Sequence, residues 1–151
     1  MARKFIERQK KEFEQKIIDI RRVARIVAGG RRFSFRVTVV AGNRRGEVGV
    51  GLGKAGETST AIEKAYNNAL KHKIKIATTK DMSIPHEVKS KFGSSRIIMK
   101  PSPRKGLVAG SSVKSVLDLA GIRDVNAKIL SRSKNKLNIA RAAVLALSKF
   151  R

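Results

Sequence analysis

The 151-residue sequence contains no cysteine and no tryptophan, and only one tyrosine and three prolines. Without cysteine it can form neither disulfides nor thiolate metal sites, and two histidines, His72 and His86, are too few to hold a metal by themselves. It has no apolar run near the ~18 to 20 residues that a membrane-spanning helix needs, and no signal-peptide core at its start. We therefore expect a soluble, cytoplasmic protein without a metal or other cofactor.

Acidic residues are also scarce. The chain has 35 Lys and Arg against 11 Asp and Glu, for a formal net charge of +24. A solvated basic surface explains a net positive charge of only about 5 to 8. Because like charges repel, this excess needs a polyanion, and nucleic acid fits better than a membrane surface. The basic residues occur in every section of the chain, which predicts a protein surrounded by its partner.

The first half of the sequence shows a strand-strand-strand-helix pattern. A strand pattern begins at Ile17, Gly29 and Gly30 mark a turn, and residues 33–40 alternate apolar and polar side chains. The connection 41–46 leads to a returning strand whose alternating glycines leave a bare face for another backbone. These glycines are Gly49, Gly51 and Gly53. A helix follows, with a capping box predicted at Thr60 and Glu63.

The composition changes near residues 78–81, and a second pattern of strands and helices follows. We predict extended segments at 84–88 and 96–100, a helix at 112–120 ended by Gly121, a strand at 125–130 and a last helix at 137–149. The predicted organisation is a basic tail at 1–12 and two small α+β domains at 13–76 and 77–151. Domains of this size are marginally stable alone, so we expect both to depend on the partner.

Two glycine-rich segments resemble nucleotide-binding loops. Residues 51–56 read GLGKAG, but the preceding strand pairs as a hairpin, whereas a dinucleotide fold needs a parallel crossover. Ala55 also stands where a P-loop needs Ser or Thr. The loop 103–112 resembles the phosphate loop of small-molecule kinases, but this half lacks a set of magnesium ligands and a base. We expect phosphate-binding loops without an active site, with Lys54 at the start of a helix.

Arginines cluster around the first glycine turn. Five of them flank Gly29 and Gly30. At such a turn each guanidinium group can donate two hydrogen bonds to one phosphate, while the glycine backbone can approach the RNA closely. Low aromatic content argues against base stacking as the main mode, so contacts should go mostly to phosphate and 2′-hydroxyl groups. The residues that we predict to contact RNA are Arg21, Arg22, Arg25, Gly29, Gly30, Arg31, Arg32, Arg44, Arg45, Lys54, Lys64, Arg132 and Lys134.

The segment 22–35, RVARIVAGGRRFSF, resembles the bacterial-type small-subunit ribosomal protein five family. GVGLGKA at 49–55, AIEKA at 61–65, GLVAG at 106–110 and VNAK at 125–128 extend the resemblance over about residues 13–150. The hairpin tip, with Arg44 and Arg45, is more basic than in many relatives. A free-standing double-stranded-RNA-binding protein and a nucleotide-dependent transferase are the alternatives.

The resemblance implies a double-stranded-RNA-binding-like β-β-β-α domain followed by a domain with a left-handed β-α-β crossover. It implies a structural constituent of the small subunit that binds rRNA with residues 22–32, near the head–body junction and the spectinomycin pocket. Protein four is expected at residues 106–114, with protein eight nearby, and the mRNA entry path is shared with protein three, with Arg21 and Arg22 as candidate contacts. The resemblance also implies a role in translational accuracy and a protein that does not form homo-oligomers. The residues expected to face protein four are Lys105, Gly106 and Lys114.

Overall fold

The computed structural model describes residues 12–79 and 81–150, which form two four-stranded sheets and three helices. This is the predicted α+β class. Within these ranges, no helix has the length and apolar character that crossing a membrane requires. The elements are β1 (Glu14–Val27), β2 (Gly30–Gly42), β3 (Glu47–Ala55), α1 (Thr58–Lys71), β4 (Ile74–Lys75), β5 (Val88–Phe92), β6 (Ser95–Pro101), β7 (Leu107–Val108), α2 (Ser111–Ala120), β8 (Val125–Ile129) and α3 (Lys136–Ser148).

The first sheet is antiparallel, in the order β1-β2-β3-β4, and confirms the predicted β-β-β-α order with the short β4 added. The strand β1 begins three residues before the predicted start at Ile17. A shift of register between Ile17 and Asp19 interrupts the alternation there, which explains why the pattern was hard to detect. The predicted tail at 1–12 lies outside the described residues except for its last residue.

The helix α1 packs on the glycine face of β3, as predicted. A β-carbon at Gly51 would lie 2.0 Å from the carbonyl oxygen of Ala65, so the helix backbone rests directly on the strand. The predicted capping box was wrong, because α1 begins at Thr58 with Glu57 as its N-cap and no side-chain cap. The amide of Ala61 donates to the carbonyl of Glu57, so Thr60 already lies inside the first turn.

The second sheet is mixed, in the order β5-β6-β8-β7, and the helices α2 and α3 pack on one of its faces. The strands β7 and β8 are parallel neighbours joined by α2, which is the predicted β-α-β connection; its left hand stays a prediction. The predicted helices and the strand at 125–130 are confirmed within about one residue. The predicted extended segment 84–88 forms no strand before Val88, where β5 begins. Ile84 is nevertheless buried, in an irregular stretch of backbone.

One hydrophobic cluster continues from the first half into the second, and includes Val40 and Val50 as well as Val116 and Leu147. The two halves therefore share buried apolar surface, while a second cluster, made of Val37, Val39, Ala61 and Ala65, lies within the first half alone. Backbone groups join them too. The amide of Arg44 donates to the carbonyl of Leu119 at 2.9 Å, and the amide of Gly46 to that of Ala120 at 3.0 Å.

Candidate nucleic-acid interface

The strands β1 and β2 continue past the end of β3 as a two-stranded arm, formed by residues 23–27 paired with residues 30–34. The last pair between β2 and β3 is Phe35 with Ala55, so the arm is outside the three-stranded part of the sheet. Five residue steps correspond to about 17 Å. The chain turns at Ala28 and Gly29, and Gly30 has a φ of +137°, a conformation that glycine adopts readily.

One face of the hairpin and of the neighbouring strand β3 is lined with cations. Residues directly opposite each other in antiparallel strands lie on the same face. Arg25 lies opposite Arg32, Arg21 opposite Arg36, and Arg36 in turn opposite Lys54. All five residues are exposed. We call this surface, made of Arg21, Arg25, Arg32, Arg36 and Lys54, the basic face.

The pairing on the basic face is electrostatically unfavourable without an anion. Like charges directly opposite on neighbouring strands destabilise a sheet. The segment 20–46 contains eight arginines and neither Asp nor Glu, so the arm has no acid of its own. Phosphate groups can relieve this repulsion, and a guanidinium group binds two phosphate oxygens at once. The geometry thus favours a polyanion that lies along this face.

A single acid connects the basic face with the second half. The carboxylate of Asp19 accepts from the Nε of Arg21 at 2.7 Å, and the Nζ of Lys136 lies 3.6 Å from its other oxygen. The same ammonium group donates to the carbonyl of Ile18 at 3.5 Å. Lys136 is the first residue of α3, and Asn135, at the end of the preceding loop, lines a pocket with Arg21 and Arg36. Arg132 and Lys134 belong to the same loop, whose earlier residues Ser131 and Ser133 bond to the start of β6 and to the turn before it.

The opposite face of the arm is apolar. Ile26 and Phe33 lie there, exposed by 82% and 49%, with Arg22 and Arg31 on either side. The guanidinium of Arg22 is 4.6 Å from the centre of the Phe33 ring, within the range of a cation–π contact. We call this surface the apolar face. It offers an unpaired base an aromatic ring and an alkyl side chain, while the basic face offers cations.

The other residues predicted to contact RNA are dispersed. Lys54 is part of the strand β3, so the prediction of a phosphate loop at the start of a helix was wrong there. Lys64 lies on the exposed side of α1, which packs against the sheet face opposite the basic face. Arg44 and Arg45 follow the far end of β2, about 40 Å from the turn of the arm. Because Arg44 is bonded to α2 and paired with Glu14 at 3.0 Å, this tip does not project freely.

The segment predicted to face protein four is a turn and the start of a helix. Lys105 is exposed, and the amide of Gly106 donates to the carboxylate of Asp124 at 3.1 Å. Gly110 is the N-cap of α2, and Lys114 lies on the exposed side of that helix. Among the residues that the structure describes, no group of three His, Cys, Asp or Glu side chains could hold a metal ion.

Two cations of this interface were missed in the sequence. Arg36 lies between Arg21 and Lys54 in a row across three strands. Lys136 connects α3 to the sheet through its ion pair with Asp19. Arg36 could have been found, because it follows the strand alternation two residues before the buried Thr38. Lys136 could not, because the contact spans 117 positions, from 19 to 136, and no local pattern encodes it.

Models of one protein family match both halves of the chain. The model of Ribosomal protein S5, N-terminal domain, matches residues 13–77, and that of Ribosomal protein S5, C-terminal domain, matches residues 90–151. The chain is 49% identical over 148 residues to the small ribosomal subunit protein uS5 of Nostoc punctiforme, covering 95% of this chain and 84% of that protein. It is 45% identical over 141 residues to the small ribosomal subunit protein uS5c of Rhodomonas salina, covering 93% and 83%.

Proposed function

The chain belongs to the ribosomal protein S5 family of the small ribosomal subunit, and we propose that it binds small-subunit rRNA through the basic face of its arm. The family is structural and has no enzymatic activity, which excludes the nucleotide-dependent transferase. The glycine-rich segments accordingly serve the fold. Residues 51–55 lie in β3 under α1, and Gly110 is the cap of α2.

The observation that carries the proposal is the row of cations on the basic face: Arg25 lies opposite Arg32 on an arm without acids, and Arg36 lies opposite Arg21, whose acidic neighbour is Asp19. Such a ladder of cations is stabilised when phosphates lie on it and is strained when they do not. The pairing of the arm residues is regular, which keeps Arg25 and Arg32 directly opposite each other on one face. We expect such a row of cations to recognise the shape of the RNA backbone and not the sequence of the bases.

The position of the arm supports a role in holding the head of the subunit relative to its body. The two halves are joined by a shared core and by backbone hydrogen bonds, so the arm projects from one connected body. An RNA segment bound to the arm is thereby held at a defined distance from RNA or protein bound elsewhere on the chain. We propose that this linkage contributes to translational accuracy and to the shape of the mRNA entry path.

The protein partners proposed for the chain follow from the family resemblance. Protein four is assigned to the exposed turn and helix that carry Lys105, Gly106 and Lys114, and protein eight to a surface nearby. Protein three shares the mRNA path, where Arg21 and Arg22 are the candidate contacts. The proposed location is the ribosome, with the cytoplasm as the expected compartment.

The test is to neutralise the row of arginines. The variant Arg25→Gln/Arg32→Gln, compared with the matched control Lys71→Gln/Lys75→Gln, should bind small-subunit rRNA more weakly. If the unmodified chain contacts ~8 phosphates, its log affinity falls with log salt at a slope of about −6 to −7, and the arm variant should lose about 2 from that slope. An arm variant with the affinity and slope of the control contradicts the proposal.

A second measurement separates the ribosomal protein from a free-standing duplex-binding protein. The chain should stay with small subunits through a high-salt wash and should prefer their rRNA to an unrelated RNA duplex. Equal binding to both RNAs, together with release from the subunits, would favour the free-standing protein.

A further inference from the structure

The second sheet has a buried face and an exposed face. Its strands alternate, with side chains such as Val88, Ile97 and Met99 buried under the helices. The alternate residues point to the other side and are exposed, apart from the half-buried Ile98. We call this exposed surface the outer face. Its basic residues are Lys89 and Lys91 on β5, Arg96 and Lys100 on β6, and Lys128 on β8.

The cations of the outer face form rows across three strands. Lys91 lies directly opposite Arg96, and Lys89 and Lys128 lie on either side of Ile98. Neighbouring strands are about 4.8 Å apart and residues on one face of a strand about 7 Å apart, so neighbouring charges interact within a Debye length of ~10 Å. An opposed pair such as Lys91 and Arg96 destabilises the sheet unless an anion lies between the two cations.

The acid beside this face neutralises only part of it. Glu87 pairs with Lys100 at 3.1 Å and with Lys89 at 3.8 Å. In the described part of the chain, no ion pair reaches Lys91, Arg96 or Lys128. Lys149 adds one more cation at the edge, since its Nζ donates to the carbonyl of Lys89 at 2.7 Å. The outer face therefore keeps a strong excess of positive charge.

The composition of the outer face fits RNA better than protein. The centre of a protein–protein interface is enriched in aromatic residues and depleted in lysine. On the outer face Ile98 is the large apolar side chain among the cations, and the exposed Val108 and Leu130 lie at its margin, on β7 and directly after β8. The face has no aromatic residue, so it offers no platform on which an unpaired base can stack. Flexible cations on an open sheet face suit phosphates, and a duplex presents phosphates without exposing its bases.

We propose that the outer face of the second sheet binds the sugar-phosphate backbone of an RNA duplex, as a second RNA contact that is separate from the arm. The inference rests on the proposed function in one respect, which is that the chain works on RNA. The residues differ entirely from those of the arm, and so do the elements that carry them. The two sites can therefore succeed or fail independently in one set of measurements.

The first experiment measures the affinity of the full chain for small-subunit rRNA over a range of salt concentrations. The variant Lys91→Gln/Arg96→Gln/Lys128→Gln is compared with Lys71→Gln/Lys75→Gln/Arg123→Gln, which removes the same charge from exposed positions elsewhere. Three lost phosphate contacts should reduce the salt slope by about 2 to 3 and weaken binding by about tenfold or more. Because the three side chains are exposed and the repulsion between positions 91 and 96 is removed, the variant should unfold at the temperature of the control or slightly above it.

The arm variant Arg25→Gln/Arg32→Gln is measured beside these two, so that the sites can be told apart. If the arm variant loses affinity and the outer-face variant matches its control, the proposed function stands and the outer-face contact is overturned. If only the outer-face variant loses affinity, the outer-face contact stands and the arm loses its proposed role. When both sites bind RNA, the two changes in free energy should add, because the sites share no residue.

The second experiment uses the absence of cysteine. The variant Lys91→Cys has a single thiol, to which a hydroxyl-radical-generating iron chelate can be attached, and Lys75→Cys is the control. In assembled small subunits, the probe at position 91 should cleave both strands of one rRNA duplex at clustered nucleotides that the control does not cleave. Crosslinking of the thiol at position 91 to a ribosomal protein without RNA cleavage would show that a protein covers this face, and would overturn the proposal.

Discussion

Gly121 lies so close to Arg44 that a β-carbon at position 121 would come within 2.2 Å of the Arg44 carbonyl oxygen. Gly121 also has a φ of +81°, in the left-handed region that favours glycine. Hydrogen bonds from Arg44 to Leu119 and from Gly46 to Ala120 tie the same two segments together. The two halves of the chain thus meet backbone to backbone at this point, and the joint has no room for a side chain.

Replacing this glycine should destabilise the whole chain. Gly121→Ala adds a contact with backbone atoms that cannot move aside easily, on top of the left-handed conformation, and we expect a loss of about 3 kcal/mol in the free energy of unfolding. Urea unfolding measures the loss. The control is Gly106→Ala, where φ is +70° and a β-carbon would meet no atom within 4 Å. Equal losses in the two variants would show that backbone strain, and not the close joint, makes Gly121 necessary.

The glycine face of β3 should be equally intolerant. In Gly51→Ala the new methyl group would lie 2.0 Å from the Ala65 carbonyl oxygen and 2.4 Å from the Ala69 nitrogen, so α1 would have to move away from the sheet. We expect a loss of about 3 kcal/mol in the same unfolding measurement. Gly56→Ala, which adds a methyl group in open space, should change stability by less than about 0.5 kcal/mol. A small effect at position 51 would contradict the direct packing of strand and helix.

The apolar face of the arm should contribute to RNA affinity without contributing to its salt dependence. Phe33→Ala removes a half-exposed ring, and if an unpaired base packs on it, affinity for small-subunit rRNA should fall by about 5-fold or more. The slope of log affinity against log salt should stay unchanged, because no charge is lost. Leu145→Ala, at an exposed apolar residue outside the arm, is the control. An affinity equal to that of the control would show that the apolar face of the arm takes no part in RNA binding.

The acid beside the basic face should affect stability and RNA binding in opposite directions. Asp19→Asn weakens the contact between Arg21, Asp19 and Lys136, and we expect a loss of stability of about 0.5 to 1 kcal/mol. Because the variant removes a negative charge next to the cations that meet phosphate, its rRNA affinity should rise. The control Glu63→Gln removes the same charge on the exposed side of α1. A lower affinity in Asp19→Asn would mean that Asp19 holds Arg21 in its binding position.

Local signals predicted much of the fold. The alternation in residues 33–40, the glycines of β3 and the glycine after α2 each depend on neighbours along the chain, and these predictions are confirmed. The errors lie where distant contacts override local preference. The first turn of α1 begins before the apparent capping box, and Ile84 is buried by packing in an irregular segment. The two halves looked independent because no local pattern encodes the joint at Gly121.

The candidate site divides in the same way. Its chemistry follows from composition, since 35 basic residues against 11 acids require a polyanion whatever the fold. The clustering of arginines around Gly29 and Gly30 was visible too, because these residues are neighbours along the chain. Which cations share a face was not, because that depends on strand register. Only the tertiary structure placed Arg36 between Arg21 and Lys54, brought Lys136 to Asp19, and aligned Lys91, Arg96 and Lys128 on one open sheet. The sequence by itself determined that the protein needs an anion, and long-range pairing of strands decided where that anion can bind.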